Sequence, residues 1–286
     1  MIYRFGKNEY DLSSRTFIMG ILNITPDSFS DGGKYFNLNA DTDTIIREAI
    51  KMESDGADFI DVGGESTRPG ARKISPKEEI RRVIPVIEAL VNILNIPVSI
   101  DTYKHQVAEE ALKAGAVIVN DISGFRFDAK IAEVTARHNA SCILMHIKGT
   151  PLDMQTDPFY NDVVKEVTNC LTESVKIAER AGLKQIIVDP GIGFGKLFGH
   201  NVTLIQNLNH IRKETGCPLL LGVSRKSFLN HIYKSEPCER LEGTIAANTA
   251  GIFYGANIIR VHDVLENKRA ALTADILNIR HTPDNE

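Results

Sequence analysis

The chain contains 286 residues, of which 43% are hydrophobic, so it is long enough to build a large buried core. Its 33 basic and 37 acidic side chains give a formal net charge of −4, which argues against nucleic-acid-binding and membrane-surface proteins, because these carry a basic excess. The four cysteines show no zinc-like spacing, and residues 1–12 lack an apolar signal segment. We therefore expect a cytoplasmic protein with reduced thiols, no nucleic-acid partner and no membrane association.

One pattern recurs along the chain: a helical segment, a glycine, a short aliphatic run and then polar residues. It is clearest after Gly56, Gly115, Gly182, Gly216 and Gly255. A glycine just beyond a helix supplies the left-handed residue that ends it, and an aliphatic run between loops is typical of a buried parallel strand. With three further runs, the pattern predicts eight strands. In chain order they span residues 17–24, 59–63, 98–101, 117–121, 141–146, 186–190, 219–222 and 258–262.

Amphipathic helical segments separate the predicted strands, and eight strand–helix units favour a closed barrel. We expect a single α/β domain over residues 1–286, a (β/α)₈ TIM barrel at 16–280 with a short N-terminal cap at 1–15. The alternative is an open doubly wound sheet, which usually carries a phosphate-binding glycine loop after its first strand. Here the run Asn23-Ile24-Thr25-Pro26 follows instead, so the barrel is favoured.

Every predicted strand ends on a polar or ionisable residue, at the rim where barrels of this kind carry their chemistry. These residues are Asn23, Asp61, Asp101, Asn120, Asp121, His146, Asp189, Ser224, Arg225, Lys226, Arg260 and His262. A single one could simply cap the next helix. The whole mixed set of carboxylates, carboxamides, cations and histidines is better suited to a polar heterocycle that carries an anion. The glycine-rich run at 191–196 matches neither a dinucleotide nor a Walker motif, and the isolated histidines argue against zinc.

Two loops at this rim are unusually long, at residues 25–33 and 65–70. Glycine and proline stand beside charged residues in both. This composition predicts mobile lids that close over a substrate, and an ordinary solvated turn is the alternative.

Eight motifs, in order along the chain, resemble those of the dihydropteroate synthases. They are NITPDSFSDGG at 23–33, ESTRPG at 65–70, DT at 101–102, NDISG at 120–124, MH at 145–146 with GTP at 149–151, DPGIGFGK at 189–196, SRKSF at 224–228 and RVHD at 260–263. Tyr103 departs from the family, where a small polar residue is common. The resemblance implies a TIM-barrel transferase of folate biosynthesis, which is a sulfonamide target. In that reaction the amine of p-aminobenzoate replaces the diphosphate of 6-hydroxymethyl-7,8-dihydropterin diphosphate and forms 7,8-dihydropteroate.

The resemblance also implies roles for individual residues. Asn23 would hold the cofactor Mg²⁺, and Ser227 would belong to the substrate-binding set. The residues implied to contact the pterin substrate are Thr67, Asp101, Asn120, Asp189, Lys226, Arg260 and His262. Four of these, Asp101, Lys226, Arg260 and His262, are the candidate catalytic residues.

The physical chemistry of a pterin agrees with these roles. The guanidine-like edge of the ring presents N–H donors, which the Asp189 carboxylate can accept in pairs. Lys226 can donate to the ring carbonyl, and Asn120 offers both a donor and an acceptor to a mixed ring edge. Arg260 and His262 suit the diphosphate, whose charge Mg²⁺ would also neutralise.

The remaining candidates concern the leaving group and the amine. Departure of diphosphate leaves positive charge on the pterin methylene, which Asp101 would stabilise electrostatically. Phe29, Pro69 and Phe194 could surround the ring of p-aminobenzoate. Arg68 could neutralise diphosphate once its loop closes. We therefore predict that diphosphate leaves before the amine attacks.

Two other functions remain open at this point. A pterin-dependent methyltransferase domain shares a barrel with Asp and Asn in its pterin pocket, but it needs neither the two long loops nor the Arg-x-His pair. A catalytically silent pterin-binding paralogue would show a broken lid or a lost Lys226, and neither is present. The outer helices around residues 201–213, 239–254 and 264–277 carry apolar residues, and with the family resemblance they predict a homodimer.

Overall fold

The computed structural model describes residues 1–24 and 38–278, with side-chain positions for all of them except 38–41. Within this part of the chain, an antiparallel hairpin precedes eight parallel strands. The hairpin comprises β1 (Ile2–Phe5) and β2 (Asn8–Asp11). The parallel strands are β3 (Phe17–Asn23), β4 (Phe59–Gly63), β5 (Val98–Asp101), β6 (Ile118–Asp121), β7 (Ser141–Met145), β8 (Ile186–Asp189), β9 (Leu220–Leu221) and β10 (Ile258–Val261). Phe29 and the predicted lid at 25–33 lie outside the described residues.

The parallel strands close into a barrel. Their order is β8-β7-β6-β5-β4-β3-β10-β9, so each strand pairs with its neighbour in the chain and β10 returns to β3. A parallel bridge joins Val188 of β8 to Leu219, the residue before β9, and it brings the two edges of the sheet together. The predicted TIM barrel is therefore confirmed, and the open doubly wound sheet is wrong.

Helices on the outside of the barrel connect successive strands. They are α1 (Leu38–Ser54), α2 (Pro76–Ile93), α3 (His105–Lys113), α4 (Lys130–Arg137), α5 (Val163–Arg180), α6 (Phe198–Gln206), α7 (Leu208–Thr215), α8 (Leu241–Phe253) and α9 (Val264–Asn278). The start of α2 shows how the sequence fixes such a boundary. Ser75 Oγ accepts a hydrogen bond from the Glu78 amide at 3.2 Å, and Pro76 occupies the first helical position. None of the helices in the described part of the chain is both long and apolar enough to cross a membrane.

The main core lies between the sheet and the helices. All five residues of β4 are buried, as expected for a parallel strand that is covered on both faces. On the helix side, Val83, Ile87 and Leu90 of α2 are completely buried. Since burial of one such side chain contributes about 1.5–3 kcal/mol, this layer fixes the strands whose ends carry the polar residues.

A second core closes the amino-terminal end of the barrel. Phe5 and Leu12 from the hairpin segment pack there against the first residues of the strands, including Phe17, Phe59 and Ile258. The hairpin is also tied to the barrel by hydrogen bonds, such as the one from Tyr3 Oη to the Ile186 carbonyl at 2.8 Å. Because this end is filled with side chains, the opposite end remains for a ligand.

Candidate active site

A cavity of about 970 Å³ lies at the carboxyl ends of the strands. Most of the residues predicted from the sequence line it. These are Asn23, Thr67, Arg68, Pro69, Asp101, Phe194, Lys226, Ser227, Arg260 and His262. Asn120 and Asp189 are buried at the ends of β6 and β8, and their surroundings are described next. Phe29 cannot be placed because it lies outside the described residues.

Arg260 joins the carboxylates of two neighbouring strands. Its Nε donates to Asp61 Oδ2 at 2.6 Å, and its Nη2 donates to Asp101 Oδ2 at 2.7 Å. Burial raises the pKa of Asp101, and the nearby Asp61 carboxylate adds to this, while Arg260 opposes it. The guanidinium therefore holds two like charges together at the base of the cavity.

Asp61 also determines how Asn120 is oriented. Asn120 Nδ2 donates to Asp61 Oδ2 at 2.8 Å, and both side chains are buried. An ionised carboxylate can only accept hydrogen bonds, so the amide must turn its NH₂ group toward Asp61. Asn120 is thus left with its carbonyl oxygen for another donor. The second oxygen of Asp61 has no hydrogen-bond partner among the described residues.

Asp189 and Lys226 face a common space that Gly222 keeps open. A Cβ atom on Gly222 would lie 3.7 Å from Asp189 Oδ2 and 3.8 Å from Lys226 Nζ. Asp189 Oδ1 accepts the Gly191 amide at 2.7 Å, so its other oxygen is the one directed at this space. Lys226 Nζ lies 4.7 Å from the centre of the Phe194 ring. A carboxylate and an ammonium group therefore flank one space, and the ammonium group lies against an aromatic ring.

Burial shifts the pKa values of this pair in opposite directions. It raises the pKa of Asp189, although Lys226 and the Gly191 amide act against the rise. It lowers the pKa of Lys226 to about 8, with Arg260 contributing and Asp189 opposing. Neither group is well solvated, so a polar ring that bonds to both would be strongly bound.

His262 is held as a neutral hydrogen-bond donor. The His262 amide donates to Ser224 Oγ at 3.2 Å, and the same oxygen lies 2.9 Å from His262 Nδ1. The Ser224 hydroxyl can therefore donate a hydrogen bond to Nδ1. In that arrangement the proton of the neutral ring lies on Nε2. Burial, together with the positive charges of Arg225 and Arg260, lowers the pKa of His262 to about 3.

Arg225 connects the ends of β9 and β10. It adopts a left-handed backbone conformation with φ of 56°, which is costly for a residue with a side chain. Its guanidinium forms a two-point ion pair with Asp263, in which Nε lies 3.0 Å from Oδ2. Because this ion pair holds Arg225 and Asp263, it also restrains the residues next to them in the chain. Lys226 follows Arg225, and His262 precedes Asp263.

His146 does not line the cavity, although it was among the strand-end residues considered from the sequence. It is buried, and its Nδ1 lies 2.9 Å from Lys196 Nζ. Lys196 also donates to the carbonyls of Gly191 and Phe194 at 2.8 and 2.9 Å. His146 and Lys196 therefore support the loop that carries Phe194.

Asn23 is the one predicted metal ligand. A Cβ atom on Gly63 would lie 3.3 Å from Asn23 Oδ1 and 3.8 Å from Asp101 Oδ2, so the amide oxygen and the Asp101 carboxylate flank the same glycine. The described residues contain no cluster of three or more His, Cys, Asp or Glu side chains suited to a metal. A single amide oxygen fits Mg²⁺, which keeps several waters and is usually bound through substrate phosphates.

Comparison with known proteins places this site in a family. Residues 19–262 match the model of the family described as pterin binding enzyme. The dihydropteroate synthase of Clostridium beijerinckii is 48% identical over 277 residues, which cover 96% of this chain and 98% of that protein. The chain belongs to the dihydropteroate synthases.

Solved structures of dihydropteroate synthases have the same fold. The Yersinia pestis enzyme in complex with a sulfonamide drug has a TM-score of 0.90 and 39% identity, with 97% of this chain and 99% of that chain covered. The Xanthomonas albilineans enzyme with 4-aminobenzoic acid has a TM-score of 0.89 and 37% identity, with 98% and 99% covered. The chain matches these dihydropteroate synthases over nearly their whole length. This match favours their family over the pterin-dependent methyltransferases.

Asp61 is the residue that sequence reasoning on dihydropteroate synthase motifs left without a role. It belongs to none of the matched motifs, and in the sequence it is one polar residue among the many near the strand ends. The structure shows that it is completely buried and contacts both Asn120 and Arg260. A carboxylate inside the otherwise aliphatic run 59–63 was the available signal, because an aspartate in a buried strand needs partners.

Proposed function

We propose that this chain condenses 6-hydroxymethyl-7,8-dihydropterin diphosphate with p-aminobenzoate to form 7,8-dihydropteroate and diphosphate. The observation that carries this proposal is the placement of Asp189 and Lys226 around one open space, with Arg260 and His262 on the wall of the same cavity. The first pair suits a pterin ring and the second pair suits an anion. The family membership of the chain supports the same reaction.

The pterin would bind through the buried end of the cavity. The free oxygen of Asp189 can accept from the N–H edge of the ring, and Lys226 can donate to the ring carbonyl. Asn120 would present its carbonyl oxygen to a ring N–H, because Asp61 already takes its NH₂ group. Thr67 lies on the cavity wall as a further pterin contact.

The diphosphate would bind to the cations that line the cavity. Arg260 and His262 would donate to it, and Arg68 would join them when the 65–70 loop folds over the substrate. Asn23 would hold Mg²⁺, which supplies further neutralisation of the leaving group when bound. A neutral His262 with its proton on Nε2 is well prepared for this role, because it can donate without first gaining a proton.

We propose that the carbon–oxygen bond to diphosphate breaks before the carbon–nitrogen bond forms. The electron-rich dihydropterin ring can delocalise the positive charge that appears on the methylene, while the amine of p-aminobenzoate is a weak nucleophile. Asp101 lies beside Arg260, so its carboxylate would stabilise this charge in a site that excludes water. The amine then attacks the methylene and releases a proton to solvent.

The amine subsite would lie at the outer part of the cavity. Phe194 and Pro69 would contact the faces of the p-aminobenzoate ring, with Ser227 next to Lys226 as a further contact. Phe29 would complete this subsite from the 25–33 loop. Sulfonamides, which resemble p-aminobenzoate, would compete for the same position.

We also propose that the protein acts as a homodimer in the cytoplasm. Large apolar side chains of α8 and α9, including Phe253, Leu272 and Ile276, and that of Tyr254 just after α8, are between 41% and 63% exposed. Such a patch on two adjacent helices supports association through the outer face of the barrel. The reduced state expected for the cysteines supports the cytoplasm.

A coupled assay with the pterin diphosphate, p-aminobenzoate and Mg²⁺ tests the proposed reaction. We expect stoichiometric release of diphosphate and formation of dihydropteroate. Binding of the pterin without any turnover would identify a silent pterin-binding paralogue instead.

Deuterium at the methylene tests the order of bond changes, because a large secondary isotope effect is expected when the cation forms first. A value near unity, with chemistry rate-limiting, would favour direct displacement.

A further inference from the structure

Lys104 lies outside the set of residues given a role above, yet its ammonium group is the centre of a buried network. Nζ donates to Glu79 Oε2 at 2.5 Å, to the Ile74 carbonyl at 2.9 Å, and to Glu65 Oε2. The side chains of Lys104, Glu65 and Glu79 are only 11%, 6% and 1% exposed. A buried ammonium group with three acceptors is fully satisfied and therefore rigidly placed.

This network fixes both ends of one loop. Glu65 is the first residue of the ESTRPG motif, and Ile74 comes just before the cap of α2, so Lys104 contacts the segment where it leaves β4 and where it reaches α2. Tyr103 adds a second contact at the first end, since its Oη donates to Glu65 Oε1 at 2.9 Å. Between these ends lie Thr67, Arg68 and Pro69, all of which line the cavity.

Lys104 is needed to keep the two carboxylates together. Burial raises the pKa of Glu79, and the Lys104 ammonium is the main opposing influence. Without that ammonium, Glu65 and Glu79 would be two like charges facing each other out of water. Glu79 is held within α2, whereas Glu65 begins a loop, so Glu65 is the group that would move.

We propose that Lys104 is a positioning residue that sets the 65–74 loop against the cavity and thereby shapes the amine subsite. The inference rests on the proposed function, because it assigns Pro69 to the contact with p-aminobenzoate. Of the assigned pterin contacts, Thr67 lies on this loop, whereas the buried anchors do not. Asn120 and Asp189 are held by Asp61 and the Gly191 amide, and none of these groups lies on the 65–74 loop.

The proposal predicts a split between the two substrates. In Lys104→Met, KM for p-aminobenzoate should rise at least about 10-fold and kcat should fall, because a loop displaced by 1 Å no longer orients the amine. The dissociation constant of a non-reactive pterin analogue, measured by calorimetry, should rise much less, by no more than about threefold, because Asn120 and Asp189 do not depend on the loop and only the Thr67 contact is disturbed. Lys104→Arg keeps the charge and should restore most of the affinity for p-aminobenzoate.

Milder variants cover the case in which Lys104→Met does not fold. Tyr103→Phe and Glu65→Gln each weaken the network at one point, and both should raise KM for p-aminobenzoate by about 2- to 10-fold with a much smaller change in pterin affinity. Lys113→Met is the matched control, since Lys113 is exposed on α3 and pairs only with glutamates at the surface. It should behave as the unmodified protein.

The outcomes separate this inference from the proposed function. If the unmodified protein shows no turnover with the pterin diphosphate and p-aminobenzoate, the proposed function fails. If it turns over normally and the network variants fold but keep the KM for p-aminobenzoate, the positioning role of Lys104 is wrong. An equal loss of affinity for both substrates would also overturn it, because that pattern indicates general damage to the barrel.

Discussion

Asp189 illustrates how a single side chain is prepared for its ligand. One oxygen is occupied by the Gly191 amide, and the other faces the space beside Lys226. Burial has already removed water from this carboxylate and raised its pKa. The cost of desolvation is therefore met during folding, and a ligand with paired N–H donors gains the interaction without that cost.

Asp189→Asn should weaken binding of a pterin analogue by about 2–5 kcal/mol, as expected when one partner of a buried charged contact is lost. The amide oxygen can still accept the Gly191 N–H, so the turn at 190–191 should be kept. Isothermal titration calorimetry measures the loss, and Glu133→Gln, on the exposed surface of α4, is the control. Near-native affinity in a folded Asp189→Asn variant would remove the assigned role.

Asp101→Asn should reduce kcat by about 100-fold or more, while pterin affinity falls much less, because the carboxylate acts mainly on the charge that develops in the transition state. An amide oxygen can still accept from Arg260, so the cavity should keep its shape. Steady-state kinetics and calorimetry on the same preparation separate the two effects. Equal losses in kcat and in binding would assign Asp101 to substrate binding instead.

The raised pKa of Asp101 predicts a pH dependence. The ionised carboxylate is the active form, so kcat/KM should fall as the pH decreases through this pKa. The midpoint should lie well above about 4, the ordinary value for an aspartate. A pH–rate profile tests this, and the same limb should be lost in Asp101→Asn. An unchanged limb in that variant would assign the ionisation to another group.

Several residues of the site could be predicted from the sequence, and a few could not. Arg260, Lys226 and Asp101 are recognisable because charged residues follow aliphatic strands at fixed positions. His146 follows the same rule but turns into the protein to meet Lys196, because a strand end gives the position of a residue and not the direction of its side chain. Asp61 and Lys104 act through contacts between distant segments; a carboxylate inside an aliphatic run indicates that Asp61 needs partners, but no local pattern indicates which partners these are.

At the scale of elements, the loop at 191–195 depends on one buried amine. Lys196 Nζ is the donor for the carbonyls of Gly191 and Phe194, and Gly191 itself has φ of 68°. A Cβ atom there would come within 1.9 Å of the His146 carbonyl, so the loop fits only because this residue is a glycine. The Lys196 hydrogen bonds and the conformation of Gly191 therefore hold the Phe194 ring against the Lys226 ammonium group.

Lys196→Met should lower the free energy of unfolding by about 2 kcal/mol or more, since it leaves buried carbonyl groups without a donor. Urea unfolding at neutral pH measures the change. Lys176→Met is a suitable control, because Lys176 lies on the exposed face of α5 and pairs only with Glu173. A stability equal to that of the control would show that water replaces the amine.

The 65–70 loop should become more protected when ligands bind. Arg68 and Pro69 are exposed, whereas Glu65 is held by Tyr103 and Lys104, so the middle of the loop is the part free to close. Hydrogen exchange of residues 66–73 should slow by about 10-fold or more with pterin, diphosphate and Mg²⁺ present together. Equal exchange with and without ligands would contradict a lid. The 25–33 loop is predicted to respond in the same way.

The predicted strands differ from the observed ones mainly at their ends. The aliphatic run 219–222 predicted a strand of four residues, but β9 contains only Leu220–Leu221, and Leu219 forms the single bridge that closes the barrel. Gly222 leaves the sheet to make room for Asp189 and Lys226. Hydrophobic pattern therefore predicted which segments are strands, whereas the site itself determines where a strand stops.

At the scale of the whole molecule, association through α8 and α9 is the open prediction. Ile276→Glu should convert the proposed homodimer into a monomer at micromolar concentration, because a charge would be buried in an apolar contact. Sedimentation velocity gives the mass directly. Ile93→Glu, at the end of α2, places the same change on another exposed apolar residue and should leave the assembly intact. A monomeric unmodified protein would refute the dimer.

The hairpin at the closed end of the barrel links the first residues of the chain to some of the last. Tyr3 bonds to the Ile186 carbonyl and Asn257 bonds to the Leu12 carbonyl, across 183 and 245 residues. At ordinary rates of synthesis, Leu12 leaves the ribosome roughly 10–50 s before its partner exists. The apolar side chains of the hairpin segment, Phe5 and Leu12, remain without their full packing during that interval. The amino terminus, although made first, therefore completes its packing only when β10 has been translated.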